Sequence, residues 1–244
     1  MLQITQSLVV NGLLSRLSPG EFQTILLYLE WVDLNLRQTL YTSNKPADYA
    51  YFPVSGICSV IAVNPEHLKA EIGMIGREGF VGSSIVLYAG SSPFDVLVQV
   101  EGRALRISKA NLQKVMTSHN GILKMLLKFV YVLGIQTSQT AVANIHYTIP
   151  QRLARWLVMC SDRVDGYHFP MTHQFLSVML AVRRAGVTEA INELESRNLI
   201  RCLPGHIAIL DLRALEATAM GSYGVPEKEY KRLFDTKKIP RSQG

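Results

Sequence analysis

Cysteine is scarce in this chain of 244 residues, and its three copies, Cys58, Cys160 and Cys202, lie far apart. An odd, scattered set argues against a disulfide framework and against a cysteine-held metal or iron–sulfur cluster; it fits free thiols in a reducing cytoplasm. Long apolar runs are also lacking. The longest, 122–135, is interrupted by Lys124 and Lys128 and falls short of the ~20 residues that span a bilayer, so no membrane partner is expected. The opening MLQITQSLVVNGLLSRL has neither a basic stretch ahead of its apolar residues nor a small-residue cleavage site, and no secretion signal is expected. Catalytic signatures are missing too. There is no P-loop, HExxH or Ser-His-Asp motif and no paired-carboxylate signature, and Asp33, Asp48 and Glu78 stand in ordinary strand or turn contexts. The expectation is a non-enzyme without cofactor or metal.

What is present is globular in character. Apolar residues make up 48% of the chain and mean hydropathy is +0.15, enough to build one large core or two small ones. The formal net charge is +6, of which +2 falls before Thr148 and +4 from there on. That is a mild tilt toward a polyanionic partner, which many enzymes share.

Along the chain, the first thirty residues read as helical, with Ser18-Pro19-Gly20-Glu21 starting a helix that carries Phe22, Ile25, Leu26 and Leu29 on one face. From Leu36 to Ile107 short β-type runs such as YAYF, GICSVIAV, AEIGMI and DVLVQV alternate with Gly, Pro, Asn and Ser, the pattern of a sandwich, barrel or roll. Ser108 caps a short helix through Met116, and Ser118 a longer one over 118–144. That helix is apolar on most sides and is expected to be buried on most sides. Pairing with a partner helix, through Leu123, Leu126, Val130, Leu133 and Thr137, and service as the core helix of a monomer both fit. Thr148 and Gln151 form a capping box with Pro150 in the first turn, so a new helix and a new unit begin there.

The segment 171–210 carries the functional signal. Thr172 caps a short helix bearing Phe175, Leu176, Met179 and Leu180; after Ala181-Val182 a second helix, 183–197, buries Val187, Ile191 and Leu194. Two short helices joined by a tight turn form a helix-turn-helix, whose second member fits the major groove. Leu199–Leu203, the turn Pro204-Gly205 and His206–Leu210 follow as a β-hairpin wing. Arg183, Arg184, Thr188, Glu189 and Asn192 fall on the outward stripe of the second helix, and these side-chain types bond base edges and phosphates.

These strings resemble the Crp/Fnr transcription regulators. MTHQFLSVMLAVRRAGVTEAINELESRNLI and RCLPGHIAILDLRALE are similar to the family's C-terminal domain, RLARWLVMCSDRV to its linking helix, and YFPVSGICSVI, EIGMIGREGFVG and VQVEGRALRI to its β-roll. The resemblance spans about residues 45–219. It implies an α+β protein: an N-terminal β-roll (double-stranded β-helix or jelly roll) with a long dimerisation helix over 1–147, a winged helix-turn-helix over 148–220, and a basic tail over 221–244. It also implies a homodimer on a near-palindromic site in double-stranded DNA, with RNA polymerase as a further partner. Carried over by position, Arg184, Ala185 and Glu189 are the base-reading positions. Thr172, Gln174 and Arg183 lie near phosphate, joined by Arg201 and His206 on the wing.

Three departures matter. Ala181 stands where the tight turn usually has Gly, and Ala185 replaces an acidic base reader. Gly186 sits inside the recognition helix, either permitting close approach to DNA or simply tolerated. In the roll, EGFVGSSIVLYAGSSPFDVLV matches the cyclic-nucleotide cassette, but Ser83 follows Gly82 in place of Glu and no Arg occurs between Arg77 and Arg103. A buried phosphate without a cation is badly compensated, so cyclic AMP is not the expected effector. Gly82, Ser83 and Ser84 mark only a weak pocket for another, unknown, small molecule. Lone histidines such as His67 and His119 are more often solvated or hydrogen-bonded than haem ligands. The basic tail reads as solvated, or as a short helix over 226–234 touching outer phosphates. The rival reading is an effector-sensing or protein-interaction module whose helix-turn-helix has lost DNA binding.

Overall fold

A computed structural model describes Gln6 and residues 9–235; the N-terminal string read for a secretion signal lies partly, and Lys237, Lys238 and Arg241 wholly, outside the described residues. Helix α1 (Pro19–Leu26) starts with a capping box between Ser18 and Glu21 and buries Phe22 and Ile25. Seven strands follow: β1 (Glu30–Leu34), β2 (Thr39–Tyr41), β3 (Tyr49–Pro53), β4 (Ile57–Val63), β5 (Lys69–Ile75), β6 (Phe94–Val100) and β7 (Gly102–Ser108). The four-residue α2 (Ser83–Val86) interrupts them between β5 and β6. They form two antiparallel sheets, ordered β1-β7-β3 and β2-β6-β4-β5. Phe52, Phe80, Val98, Leu105 and Ile107 are buried in one core. Alternating inward residues on two facing sheets produce such a core, and this is the roll.

Helix α3 (Lys109–Ser118) is capped by Ser108, whose hydroxyl accepts from Asn111 N at 3.3 Å. The 27-residue α4 (Asn120–His146) then crosses the roll. By length and composition alone α4 is long and apolar enough to span a membrane, a correction to the shorter run read from sequence. Its buried stripe is Ile122, Leu126, Phe129, Val132, Gln136 and Ala143. Gln136 fastens it to β5, accepting from Met74 N at 2.5 Å and donating to Met74 O at 3.2 Å. A Cβ on Gly79 would fall inside the Phe129 ring, so α4 approaches this loop as closely as glycine allows.

Helix α5 (Ile149–Ser161) opens with the Thr148/Gln151 capping box and Pro150, and is buried on nearly every side. It leads to β8 (His168–Pro170), α6 (His173–Met179), α7 (Arg184–Ser196), β9 (Ile200–Leu203), β10 (His206–Ile209), α8 (Leu212–Ala219) and α9 (Val225–Phe234). Strands β8-β10-β9 make the third sheet; sequence reading found only its hairpin, because β8 has three residues and no alternation to show. The second core joins Leu153, Trp156, Leu157 and Cys160 of α5 to Val187 and Ile191 of α7, and takes in Ile57, Ile61 and Met74 from the roll. Roll and winged part therefore share apolar packing.

The segment 221–235 departs from the expected solvated tail. Helix α9 folds back onto α4: Tyr230 Oη donates to Glu78 O at 2.9 Å, Arg16 pairs with Asp235 at 2.8 Å, and Lys128 Nζ reaches Leu233 O at 3.4 Å. The sequence shows why. Pro226, Tyr230 and Phe234 recur at helical spacing and give the helix an apolar side, while Lys228, Lys231 and Arg232 stay outside.

Candidate nucleic-acid interface

The Thr172 hydroxyl accepts from Phe175 N at 3.1 Å, capping α6, which buries Leu176 and Met179. The turn into α7 hinges on Ala181, at φ +51°. That left-handed conformation is natural for glycine and costs a residue with a Cβ about 1–2 kcal/mol. Arg183 is the N-cap residue of α7 with extended backbone, so it lies just ahead of the helix and not within it. Val187, Ala190, Ile191 and Leu194 face the core, leaving Arg184, Ala185 and Glu189 exposed with Arg183. Helix α7 and the wing are tied together by Cys202 N donating to Glu195 Oε1 at 2.6 Å, and α6 meets α7 where His173 Nδ1 lies 3.1 Å from Thr188 Oγ1.

Thr172, Gln174 and Arg184 gather, with Leu203, Pro204 and Gly205 of the wing turn, around one open concavity. Arg201 and His206 are exposed on the wing strands beside it. Positively charged and hydrogen-bonding side chains thus share a concave face between a helix and a hairpin, the arrangement that positions on phosphate and reads bases. Gly186 has a reason of its own: a Cβ there would stand 2.8 Å from Ile149 Cδ1, so the glycine admits α5 against the recognition helix.

The expected roll pocket is small. A cavity of about 100 Å³ is bordered by Gly82, Ser83, Ser84, Ser92, Tyr41, Phe94 and Thr137, with no lysine or arginine on its wall. The Ser84 hydroxyl is buried without a partner among the described residues.

On α4, Leu126 is wholly buried in the protomer's own core, and Leu123, Val130, Leu133 and Thr137 are half-buried. Leu126 therefore offers no surface to a partner helix. The exposed stripe lies one residue further on, about 100° around the helix, through Leu127, Tyr131, Gly134, Ser138, Ala141 and Ile145. Val142 lies beside it. The sequence did not separate the two stripes because both are apolar.

Sequence reasoning missed the polar anchors between roll and winged part. Trp156 Nε1 donates to Glu71 Oε1 at 2.8 Å. The buried Arg155 donates to Thr140 Oγ1 of α4 at 3.2 Å; inside the winged part it also donates to Ser222 O at 2.9 Å, and Arg152 bonds Leu180 O. Burial raises the Glu71 carboxyl to about 7. The available signal was two arginines at i and i+3 on an otherwise apolar helix.

A β-roll with a long helix and a winged helix-turn-helix defines a DNA-binding transcription regulator. Residues 32–119 match the cyclic nucleotide-binding domain, and residues 151–218 match the Crp-like helix-turn-helix domain. Together these two matches span more than half the chain, which belongs to the Crp/Fnr family of regulators. Similar solved structures include the c-di-GMP-responsive global regulator CLP of Xanthomonas campestris, at 16% identity and TM-score 0.65 over 79% of this chain and 99% of that one. A Crp/Fnr-family regulator from Eubacterium rectale gives 13%, 0.67, 86% and 98% in the same terms, and one from Thermus thermophilus gives 20%, 0.64, 80% and 100%. Comparison with curated proteins finds no match.

Proposed function

We propose that the protein works as a cytoplasmic homodimer that pairs along the exposed stripe of α4 and sets two copies of α7 into successive major grooves of a near-palindromic operator. The observation that carries the reading is the single concave face holding Thr172, Gln174 and Arg184 beside the wing turn. On it Arg184 is the leading base reader, since its fork matches guanine O6 and N7, with Ala185 and Glu189 as the other base-reading positions. Arg183, Thr172, Gln174, Arg201 and His206 serve the phosphates. The long helix supports the pairing, because an apolar stripe left open to water calls for a partner, and Gly134, Ser138 and Ala141 let a second helix approach closely. The roll contributes a platform that RNA polymerase is able to touch, and no chemistry of its own. Cyclic AMP does not control this protein: the roll cavity of about 100 Å³ is well below the ~300 Å³ at which ligand pockets begin, and it has no cation for a phosphate. The c-di-GMP named for the Xanthomonas relative brings two phosphates and meets the same obstacle.

Selection from randomised DNA tests the reading. The expected product is a two-fold-related site, enriched by the wild type and lost on Arg184→Ala but kept on Ser83→Ala. An Arg184→Ala protein that still selects the same site would show that the base readers are misassigned. Absence of any enriched site would favour a module that has lost DNA binding. Calorimetry with cyclic AMP is expected to show no saturable micromolar binding.

A further inference from the structure

A second cavity, of about 260 Å³, lies under α9, close to the lower end of the ~300–1,000 Å³ range of small-molecule sites. Phe129, Val132 and Leu133 of α4 form its floor, and Pro226 and Tyr230 of α9 its lid. Its charged groups are Glu78, Asp162, Arg163, Glu227 and, on the rim, Lys231. The carboxylates already have donors. Glu78 accepts from Arg163 Nε at 2.8 Å and from Gly76 N at 3.1 Å; Asp162 accepts from Tyr223 Oη at 2.8 Å, and Glu227 from Gly224 N at 3.1 Å. The guanidinium is the exception. Arg163, only 5% exposed, spends Nε on Glu78 and Nη1 on Met159 O at 2.7 Å, whereas Nη2 makes no hydrogen bond among the described residues and is not one of the polar atoms sealed from solvent there.

Solvent meets Nη2 at the cavity wall, so an occupant that displaces solvent there must bring an acceptor of its own or leave a charged donor unpaired. An ammonium head has donors only. A carboxylate would accept, but it would add a negative charge where three carboxylates already outnumber Arg163 and Lys231, and a buried, poorly compensated charge is costly. Burial already pushes the Asp162 carboxyl above its usual range, with Glu227 and Glu78 adding to the effect. A neutral carbonyl meets both conditions, and the apolar floor and lid suit an alkyl or aryl body.

We propose that the cavity between α4 and α9 is a binding site for a small uncharged molecule with an apolar body and one carbonyl group, an amide or lactone, whose oxygen accepts from Arg163 Nη2. The site is apart from the DNA-facing surface and meets the roll pocket at Gly82–Ser84 only through Leu133, which lines both. Its floor belongs to the dimer helix and its lid continues from the winged part, so an occupant bridges the two.

Three probes of equal chain length separate the head groups: octanamide, octanoate and octylamine, titrated into the full chain at pH 7.5 by calorimetry and thermal shift. Octanamide is expected to bind saturably, raise Tm and bind at least tenfold more tightly than the other two. Val132→Phe, which fills the cavity, and Arg163→Lys, which keeps a cation for Glu78 but removes the free Nη2, are each expected to weaken it at least tenfold while circular dichroism stays native. Octanoate or octylamine binding as tightly as octanamide overturns the head-group assignment. No binding by any of the three overturns the site, and binding unaffected by both substitutions places it elsewhere. None of these readouts uses DNA, so they stand or fall separately from the operator reading.

Discussion

Ala181 and Glu71 each hold a conformation or charge that their surroundings oppose, and each yields a measurable consequence. Ala181 stands at φ +51° with exposed surroundings, so its methyl gains no packing to offset the left-handed backbone. Ala181→Gly is expected to stabilise the chain by about 1 kcal/mol, net of the extra freedom glycine has when unfolded. In a protein of this size that is roughly 2–4 °C in Tm, read by scanning calorimetry. For Glu71, burial raises the carboxyl from 4.5 to about 7, Trp156 and Ser59 only partly offsetting it, and Oε2 has no partner among the described residues. The folded state therefore holds the proton more tightly than the unfolded chain does. Its stabilising contribution is complete below about 4.5 and is lost as pH rises through about 7. Glu71→Gln keeps an acceptor for Trp156 and removes the charge. Its Tm should match the wild type near pH 5 and exceed it by a few degrees at pH 8, a gain on the order of 1 kcal/mol or more.

At the scale of elements, the sequence carried helices, wing and caps with fair fidelity, because those signals are local. Ser18, Ser108 and Thr172 cap where their spacing placed them; at Thr148 the bond made is Thr148 N donating to Gln151 Oε1 at 2.9 Å, and Ser118 ends α3 instead of capping α4, whose N-cap position falls to His119. Long-range facts were harder to read. Which stripe of α4 faces the roll depends on Gly79, Gly73 and Phe80 being brought beneath it, and an all-round apolar helix offers no polar side to break the tie. Likewise α9 shows an apolar side in its sequence, but nothing in 225–234 names α4 as the surface it covers. The revised stripe makes a paired prediction. Tyr131→Glu, on the exposed side, should shift the protein to monomer in sedimentation velocity with little change in monomer fold. Leu126→Ala, in the core, should leave association intact and cost ~2–5 kcal/mol in denaturant unfolding. If Leu126→Ala dissociates the protein and Tyr131→Glu does not, the helix pairs through its other side.

At the scale of the whole molecule, the orientation of the reading heads depends on how firmly the winged part is fixed to the roll. Apolar packing through Ile57, Ile61 and Met74 supplies one link, Arg155 on Thr140 and Trp156 on Glu71 a second, and α9 a third by returning from the winged part to α4 and Glu78. A chain ending at Gly224 loses the third link without losing any proposed DNA contact. Such a chain should bind its operator more weakly, because two loosely held domains must be ordered on the DNA. Its dependence of log affinity on log salt should keep the same slope, since no phosphate contact is removed. Arg183→Ala reverses the pattern: α9 stays in place, one phosphate contact goes, and the slope falls by about 1 with a nearly uniform loss across sequences. Measuring both proteins from low to high salt separates rigidity from charge. A reduced slope on removing residues 225–244 would place basic residues of that segment, among Lys228, Lys231, Arg232, Lys237, Lys238 and Arg241, on the DNA instead.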